Sequence, residues 1–267
     1  MPEPVDLEHL PAGGAGDGAP LLFIHGAFGA PWVWQRHFMP WFAQRGHAVY
    51  AMRLRGGGEL PSGNMEPGLG DYLDDLEAAV AGLGERPVVV AHSLGALVAQ
   101  MALGRVPMRA LAMLAPVPST GMLWSSVRLA LDTPALWTRT AFSAGEAGFA
   151  TTAATRDALF TDDTHEDIVY ETHARLAVQP ARPMLEAQWP RYVPRASRVR
   201  VPVLTLAAER DRLISVGTVE RTAQYHGAPC ITMPGAGHAM MLDTPWLDCA
   251  RAIAHWLAAQ HAGQDAA

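Results

Sequence analysis

The sequence predicts an α/β fold in which helices cover both faces of a mostly parallel central sheet. Three observations carry this prediction. Short apolar runs alternate with longer segments of helical spacing, as in repeated strand–helix units. The runs are apolar at every position, as in strands buried on both faces. One of them, Val88–Val90, leads through Ser93 into a segment of good helix formers, Ala96–Leu103.

Length and composition suit one domain with an insertion, or two small domains. Of the 267 residues, 49% are hydrophobic, enough for a full core. The net charge of −6 argues against a nucleic-acid partner. The start of the chain lacks the features of a signal peptide, and no apolar run reaches the ~18 residues of a membrane span. We therefore expect a cytoplasmic protein without stable membrane insertion. A homodimer is compatible with the sequence.

The first part of the chain supplies most of the sheet. Before Pro20 the residues allow only brief strand pairing. The predicted strands are Leu21–Ile24, Ala48–Met52, Val88–Val90 and Ala110–Leu114. The predicted helices between and after them are Trp32–Gln44, Asp71–Leu83 and Ala96–Leu103.

The strand–helix alternation stops after Pro116. From there to about Ser197 the sequence contains helical pieces and no convincing strand: Leu123–Leu131, Thr155–Leu159 and Asp167–Leu176. We therefore predict a core domain, residues 1–116 and 197–267, and a helical cap, residues 117–196, inserted after the strand 110–114. The core resumes with strands Val201–Leu206 and Cys230–Met233 and helices Thr218–Tyr225 and Trp246–Ala259.

Ser93 lies where a predicted strand becomes a predicted helix. The small residues Ala91 and Gly95 stand two positions on either side of it, as a tight turn requires. This is the context of the Gly-x-Ser-x-Gly nucleophile elbow, with Ala in the first position. Ser143 has the same small-x-Ser-x-Gly pattern, but no apolar strand precedes it and a poor helix start follows. The context favours Ser93 as a nucleophile.

Two loops after predicted strands supply partners for this serine. A serine hydroxyl needs a base, and the base needs an orienting group. Asp211 follows one strand by a few residues, and His238 lies in a Gly-rich turn after the next. Loops at the carboxyl ends of neighbouring parallel strands can meet, and the order Ser, Asp, His is that of an α/β-hydrolase triad. Glu209 is the competing acid, and we favour Asp211.

Other candidate residues have ordinary structural explanations. His92 and His25 are expected to be hydrogen-bonded residues of the loops rather than further bases. Trp124 and Trp137 are candidates to line an apolar acyl pocket, as are Phe142 and Phe149, although aromatic residues of a small cap more often form its core.

Four motifs make the sequence resemble the α/β-hydrolase superfamily: Leu22-Phe23-Ile24-His25-Gly26, Ala91-His92-Ser93-Leu94-Gly95, Glu209-Arg210-Asp211 and Gly235-Ala236-Gly237-His238. The similarity covers nearly the whole chain. Three further runs are similar to bacterial capped hydrolases of the esterase and lysophospholipase type: Asp71–Leu76, Leu114–Pro118 and Gly237–Leu242. The resemblance is specific for fold and triad and weak for substrate.

The resemblance implies that the backbone N–H groups of Ala27 and Leu94 form the oxyanion hole, with Phe28 as a substitute for Ala27 and a candidate substrate contact. Two departures stand out. The family usually carries Arg-Gly-His-Gly where this chain has Arg55-Gly56-Gly57-Gly58, and Ala91 replaces the usual first Gly of the elbow.

These observations predict a serine hydrolase that cleaves a small-molecule carboxylic ester or thioester through an acyl-enzyme. The chemistry needs no metal or organic cofactor. The alternative is a biosynthetic cyclase, acyltransferase or C–C hydrolase or lyase that uses the same triad on the same fold. A non-enzymatic small-molecule sensor with a hydrolase body is a third hypothesis.

Overall fold

Seven strands form the central sheet of the computed structural model, which describes residues 5–13, 18–56, 66–132, 134, 138, 149–190 and 192–265. They are β1 (Leu7–Leu10), β2 (Gly18–Ile24), β3 (His47–Met52), β4 (Val88–His92), β5 (Ala110–Leu114), β6 (Val203–Ala208) and β7 (Cys230–Met233). The spatial order is β1-β3-β2-β4-β5-β6-β7, and β1 pairs with β3 as the antiparallel edge strand while the others are parallel. The predicted fold class is confirmed.

The sheet changes its winding direction between β2 and β4. From β2 the chain moves to β3 on one side, then crosses back to β4 on the other side of β2. Loops from the carboxyl ends of two such strands diverge and leave a crevice, which is where open α/β sheets bind ligands. The crevice here lies between the loop after β2 and the start of the helix after β4.

Helices cover both faces of the sheet, and alternate residues of each strand face opposite layers. In β2, Leu21 and Phe23 pack in one apolar cluster with α1 (Trp32–Gln35), α2 (Phe38–Ala43) and the C-terminal helix Trp246–Asp265. Leu22 and Ile24 pack in the other cluster. The helices on that second face are α3 (Leu69–Gly82), α4 (Ser93–Met101) and the helix Val216–His226.

The single helix predicted over Trp32–Gln44 is wrong, because the structure has two short helices there. The break falls at Arg36 and His37, and His37 has φ −132° and ψ −59°. Pro40 explains its position. A proline ring clashes with the carbonyl four residues earlier, here that of Arg36, and provides no N–H for a bond to it. Pro40 is tolerated in the first turn of α2, where such an N–H would have no helical partner.

Between β5 and β6 the described residues form helices joined by turns and irregular stretches, and they contain no strand. The helices are α5 (Leu123–Asp132), α6 (Thr152–Leu159), α7 (Glu166–Arg175), α8 (Ala181–Glu186) and α9 (Ala196–Val199); α8 and α9 were not predicted. We call residues 117–199 the helical segment. The remaining helices are α10 (Val216–His226) and α11 (Trp246–Asp265). No helix in the described part of the chain is both long and apolar enough to cross a membrane.

Candidate active site

Ser93 occupies a strained position as the first residue of α4, directly after β4. Its φ is +49°, in the left-handed region that residues with a Cβ rarely adopt. Two glycines permit the close packing around it. A Cβ on Gly95 would lie 2.3 Å from the carbonyl oxygen of His25, and a Cβ on Gly26 would lie 2.9 Å from Cβ of Ser93. The elbow and the loop after β2 are therefore in direct backbone contact.

Three residues that are far apart in the chain form one hydrogen-bonded relay. Nε2 of His238 is 3.1 Å from Oγ of Ser93, and Nδ1 of His238 is 2.8 Å from Oδ2 of Asp211. Because a carboxylate only accepts, Nδ1–H donates to Asp211 and Nε2 is left to accept the Ser93 proton. Ser93 and His238 are 9% and 4% exposed, and the Asp211 side chain is fully buried.

Asp211, not Glu209, meets the imidazole. The second oxygen of Asp211, Oδ1, accepts the backbone N–H groups of Leu213 at 2.7 Å and Ile214 at 2.9 Å, which fixes the carboxylate in its loop. Glu209 instead accepts the backbone N–H of Gly235 at 2.8 Å through an exposed side chain. Both carboxylates therefore accept backbone N–H groups, but only that of Asp211 also contacts the imidazole of His238.

A second buried carboxylate supports the loop that carries His238. Asp243 is fully buried. Its Oδ2 accepts the N–H of Gly237 at 2.6 Å, and its Oδ1 accepts the N–H of Thr244 at 2.8 Å and the hydroxyl of Thr164. Thr164 belongs to the helical segment, so Asp243 joins that segment to the histidine loop.

His92 and His25 have the structural roles expected of them. Nε2–H of His92 donates to the carbonyl of His238 at 3.0 Å, and the two rings lie 4.7 Å apart. Nε2 of His25 accepts the N–H of Leu54 at 3.1 Å, so its Nδ1–H donates to the carbonyl of Gly26 at 2.8 Å. Burial lowers the pKa of His25 to about 4 and that of His92 well below its usual value, so both rings are neutral near pH 7.

The two residues predicted to form the oxyanion hole both lie beside Ser93. Ala27 follows β2, Leu94 is in the first turn of α4, and both line the cavity beside Ser93. A first-turn N–H has no acceptor within its own helix, so that of Leu94 is not used by α4. The N–H of Phe28 donates to Oε1 of Gln179 at 3.3 Å. Because this bond uses the N–H of Phe28, that group is not free to replace the N–H of Ala27 in an oxyanion hole.

The relay opens into an apolar cavity of about 700 Å³. Its wall includes Met122, Val127, Leu176, Met184 and Leu213, and none of the described residues lining it is charged. Of its polar side chains outside the relay, Ser126 donates to Gln188 at 3.0 Å, and Gln188 donates to a backbone carbonyl at 3.2 Å. Within the described ranges, no group of three His, Cys, Asp or Glu side chains could hold a metal ion.

The predicted pocket aromatics are distributed unevenly. Phe28 and Phe149 line the cavity, with ring centroids 5.9 Å apart. Trp124 is 78% exposed and is not part of the wall; its neighbour Leu123 lines the cavity instead. Trp137, Phe142 and Ser143 lie outside the described residues, as do Gly57 and Gly58.

Sequence reasoning missed Asp243 and Gln179. Asp243 lies five residues after His238, next to a Thr-Pro pair, and a polar residue so close to a candidate base was a usable signal. Gln179 has no comparable signal, because its partner Phe28 is 151 positions earlier in the chain.

Comparisons with known proteins agree with this architecture. The profile of a family described as "Alpha/beta hydrolase family" matches residues 21–252. No curated protein matches the chain. Three solved structures resemble it over nearly their whole length. The proposed non-heme bromoperoxidase BpoC of Mycobacterium tuberculosis H37Rv is 20% identical over 96% of each chain, with a TM-score of 0.73. A thermophilic esterase of Thermogutta terrifontis is 18% identical over 95% of this chain and 93% of that one (TM-score 0.67), and an E-2-(acetamidomethylene)succinate hydrolase is 19% identical over 95% and 94% (TM-score 0.68). Likeness at these identities shows the fold alone.

Proposed function

This chain belongs to the alpha/beta hydrolase family, and we propose that it is a serine hydrolase that cleaves carboxylic esters or thioesters of apolar acyl groups. Ser93 is the proposed nucleophile, His238 the general base and acid, and Asp211 the group that orients the imidazole. The observation that carries the proposal is the continuous relay of these three side chains at the wall of a large apolar cavity.

In the proposed acylation step, Oγ of Ser93 attacks the acyl carbonyl carbon while its proton passes to Nε2 of His238. The N–H groups of Ala27 and Leu94 stabilise the negative charge that develops on the carbonyl oxygen. His238 then returns the proton to the leaving alcohol or thiol, and the acyl group stays on Ser93. Asp211 holds the imidazole in the required tautomer and stabilises the imidazolium.

Deacylation repeats the same steps with water as the nucleophile. His238 accepts a proton from water as the water oxygen attacks the acyl carbon, and the same two N–H groups hold the oxyanion. The proton then goes to Oγ of Ser93, and the carboxylic acid leaves. Residues 117–196 act in this proposal as a cap that covers the acyl-enzyme and limits the access of water.

The chemistry of the cavity wall argues for the acyl class. A charged acyl group would lose its hydration without gaining a partner, because the described wall has no charged side chain. Each methylene that moves from water into such a wall contributes ~0.8 kcal/mol. We therefore expect kcat/KM to rise with acyl length until the cavity is filled. The similarity in fold to an esterase is consistent with ester cleavage and does not identify the substrate.

The test measures hydrolysis of p-nitrophenyl esters of graded acyl length by the wild type and by Ser93→Ala. We expect the substitution to lower kcat by about 10⁴–10⁶. Ser197→Ala is the matched control, because Ser197 is exposed in α9, and it should leave the rate unchanged.

Retention of activity by Ser93→Ala would refute the nucleophile assignment. A wild type that reacts with a fluorophosphonate at Ser93 but cleaves no ester or thioester of the series would instead favour cyclase, acyltransferase or C–C bond chemistry on the same triad.

A further inference from the structure

The loop that carries Ala27 is held by one short stretch of the helical segment. Phe28 has φ +59°, a left-handed conformation that is strained for a residue with a Cβ. Its carbonyl accepts the N–H of Ala177 at 2.8 Å, and its N–H donates to Oε1 of Gln179 at 3.3 Å. Both polar backbone groups of this strained residue are therefore bound by residues 177–179.

Gln179 is itself fixed from the opposite side. The residue is 4% exposed, and its Nε2 donates to the hydroxyl of Tyr72 at 3.2 Å and to the carbonyl of Pro180 at 3.4 Å. Tyr72 is 1% exposed in α3, among the apolar residues that α3 shares with α4. The side chain of Gln179 thus connects α3 to the loop after β2, and every polar atom of its amide has a partner.

We propose that Gln179 is a positioning residue for the oxyanion hole. By accepting the N–H of Phe28 it keeps that donor occupied, and it holds in place the strained residue that follows Ala27, whose own N–H is proposed to bind the oxyanion. Because residues 177–179 lie in the helical segment, the oxyanion hole is complete only while that segment is docked on the core. This inference rests on the proposed function of the same site.

The loss of Gln179 has a predictable physical result. The N–H of Phe28 would be left buried without an acceptor, which is unfavourable, and the peptide would relax from its left-handed conformation. The N–H of Ala27 would move with it. A shift of an ångström in an oxyanion donor weakens binding of the transition state while the apolar wall still binds the acyl group. The effect should therefore fall on kcat and not on KM.

The test uses Gln179→Met, which keeps the length of the side chain and removes both polar atoms. We expect kcat for a p-nitrophenyl ester to fall by about 10–100-fold, less than the 10²–10³ for deletion of an oxyanion donor, and KM to change by less than about threefold. Butylboronic acid adds to the serine oxygen as a tetrahedral analogue of the intermediate. Its inhibition constant should rise in proportion to the fall in kcat/KM. Gln224→Met is the control, because Gln224 is exposed in α10.

A folded Gln179→Met enzyme with unchanged kcat, or with raised KM and unchanged kcat, overturns the proposal. If the variant does not fold, Tyr72→Phe serves as the test, because it removes only the outer bond to Gln179. We expect it to lower kcat by about 2–5-fold with a matching rise in the boronic acid constant, and no change in either overturns the proposal.

Failure of this inference can be distinguished from failure of the proposed function. If the wild type cleaves no ester, the rate at which a fluorophosphonate labels Ser93 still reports the oxyanion hole. That rate should be slower in Gln179→Met, and an equal rate would contradict the positioning role.

Discussion

The carboxyl edge of the sheet and the helical segment meet at one cavity, but they fix their residues in different ways. At the sheet edge the side chains of Ser93, His238 and Asp243 are hydrogen-bonded to named partners, and all three residues are less than a tenth exposed. In the helical segment, Leu131 and Leu185 line the same cavity and are 78% and 71% exposed. The side chains of the sheet edge are fixed by hydrogen bonds between single atoms. The helical segment makes such bonds through Thr164, Ala177 and Gln179, and its contribution to the cavity wall is mainly an apolar surface.

The difference follows from the forces involved. Hydrogen bonds weaken steeply with distance and angle, so a relay tolerates little displacement. Apolar burial is non-directional and depends on area, so many side chains can serve one wall. Chemistry should therefore depend on single atoms of the core, whereas acyl preference should depend on the summed surface of the helical segment. Substitutions in the two regions should differ accordingly in the size of their effects.

The largest difference should appear between the two acids of the loop after β6. Asp211→Asn keeps the shape of the side chain but presents the wrong partner to Nδ1 of His238, and we expect kcat to fall by about 10⁴-fold. Glu209→Gln keeps an acceptor for Gly235 and should stay within about twofold of wild type. Ester hydrolysis measured on both variants checks this. Equal losses of kcat in the two variants would show that the relay does not depend on Asp211 more than on Glu209.

Packing at the elbow should give the next largest effect. A Cβ on Gly95 would meet the carbonyl of His25 at 2.3 Å, so we expect Gly95→Ala to destabilise the fold by about 2–4 kcal/mol and to lower activity. Gly82 ends α3 with no atom within 4 Å of such a Cβ, and Gly82→Ala should be neutral or stabilising by up to about 1 kcal/mol. Urea unfolding measures both. A tolerated Gly95→Ala would mean that the backbone contact is looser than described.

Acid should weaken the core through its buried histidines. Burial lowers the pKa of His25 and His226 from 6.5 to about 4. Because the unfolded chain binds these protons near pH 6.5 and the folded chain does not until about pH 4, their contribution is full above pH 6.5 and is lost as the pH falls through that window.

His226→Gln isolates one of these contributions. The free energies of unfolding of wild type and variant, measured in urea at pH 7.5 and pH 4.5, should draw closer at the lower pH by about 2–3 kcal/mol. A difference that is constant with pH would show that the imidazole of His226 takes up a proton equally well in the folded chain.

The smallest effects should come from the aromatic side chains of the helical segment. Phe149 is 4% exposed on the cavity wall, and Phe149→Ala should reduce kcat/KM for a long-chain ester by the equivalent of about 1–2 kcal/mol, with less effect on the acetate. Trp124 is 78% exposed, so Trp124→Ala should stay within about 0.5 kcal/mol in both stability and kcat/KM. A larger loss of kcat/KM with Trp124→Ala than with Phe149→Ala would mean that Trp124, and not Phe149, lines the cavity.

Local sequence patterns were sufficient to predict the elbow and the strands of the core. They were less able to predict which residues of the helical segment contact the core. The run into Ser93 predicts the elbow because strand, turn and helix signals adjoin one another, and the strands at 110–114 and 230–233 lie where their apolar runs predicted. The break at Arg36 was also readable, from Pro40. The exposure of Trp124 was not, because helical spacing does not tell which face meets the core. The contact of Gln179 with Phe28 depends on tertiary packing, which no local pattern encodes.

The role of Ser93 is tested most sharply by the site and rate of labelling by a fluorophosphonate, read by mass spectrometry of the digested protein. We expect one modified residue, Ser93, and a labelling rate at least about 10³-fold lower in His238→Ala, because the hydroxyl then has no base. A label on another residue, or an unchanged rate in His238→Ala, would contradict the assignment of Ser93 as a nucleophile activated by His238.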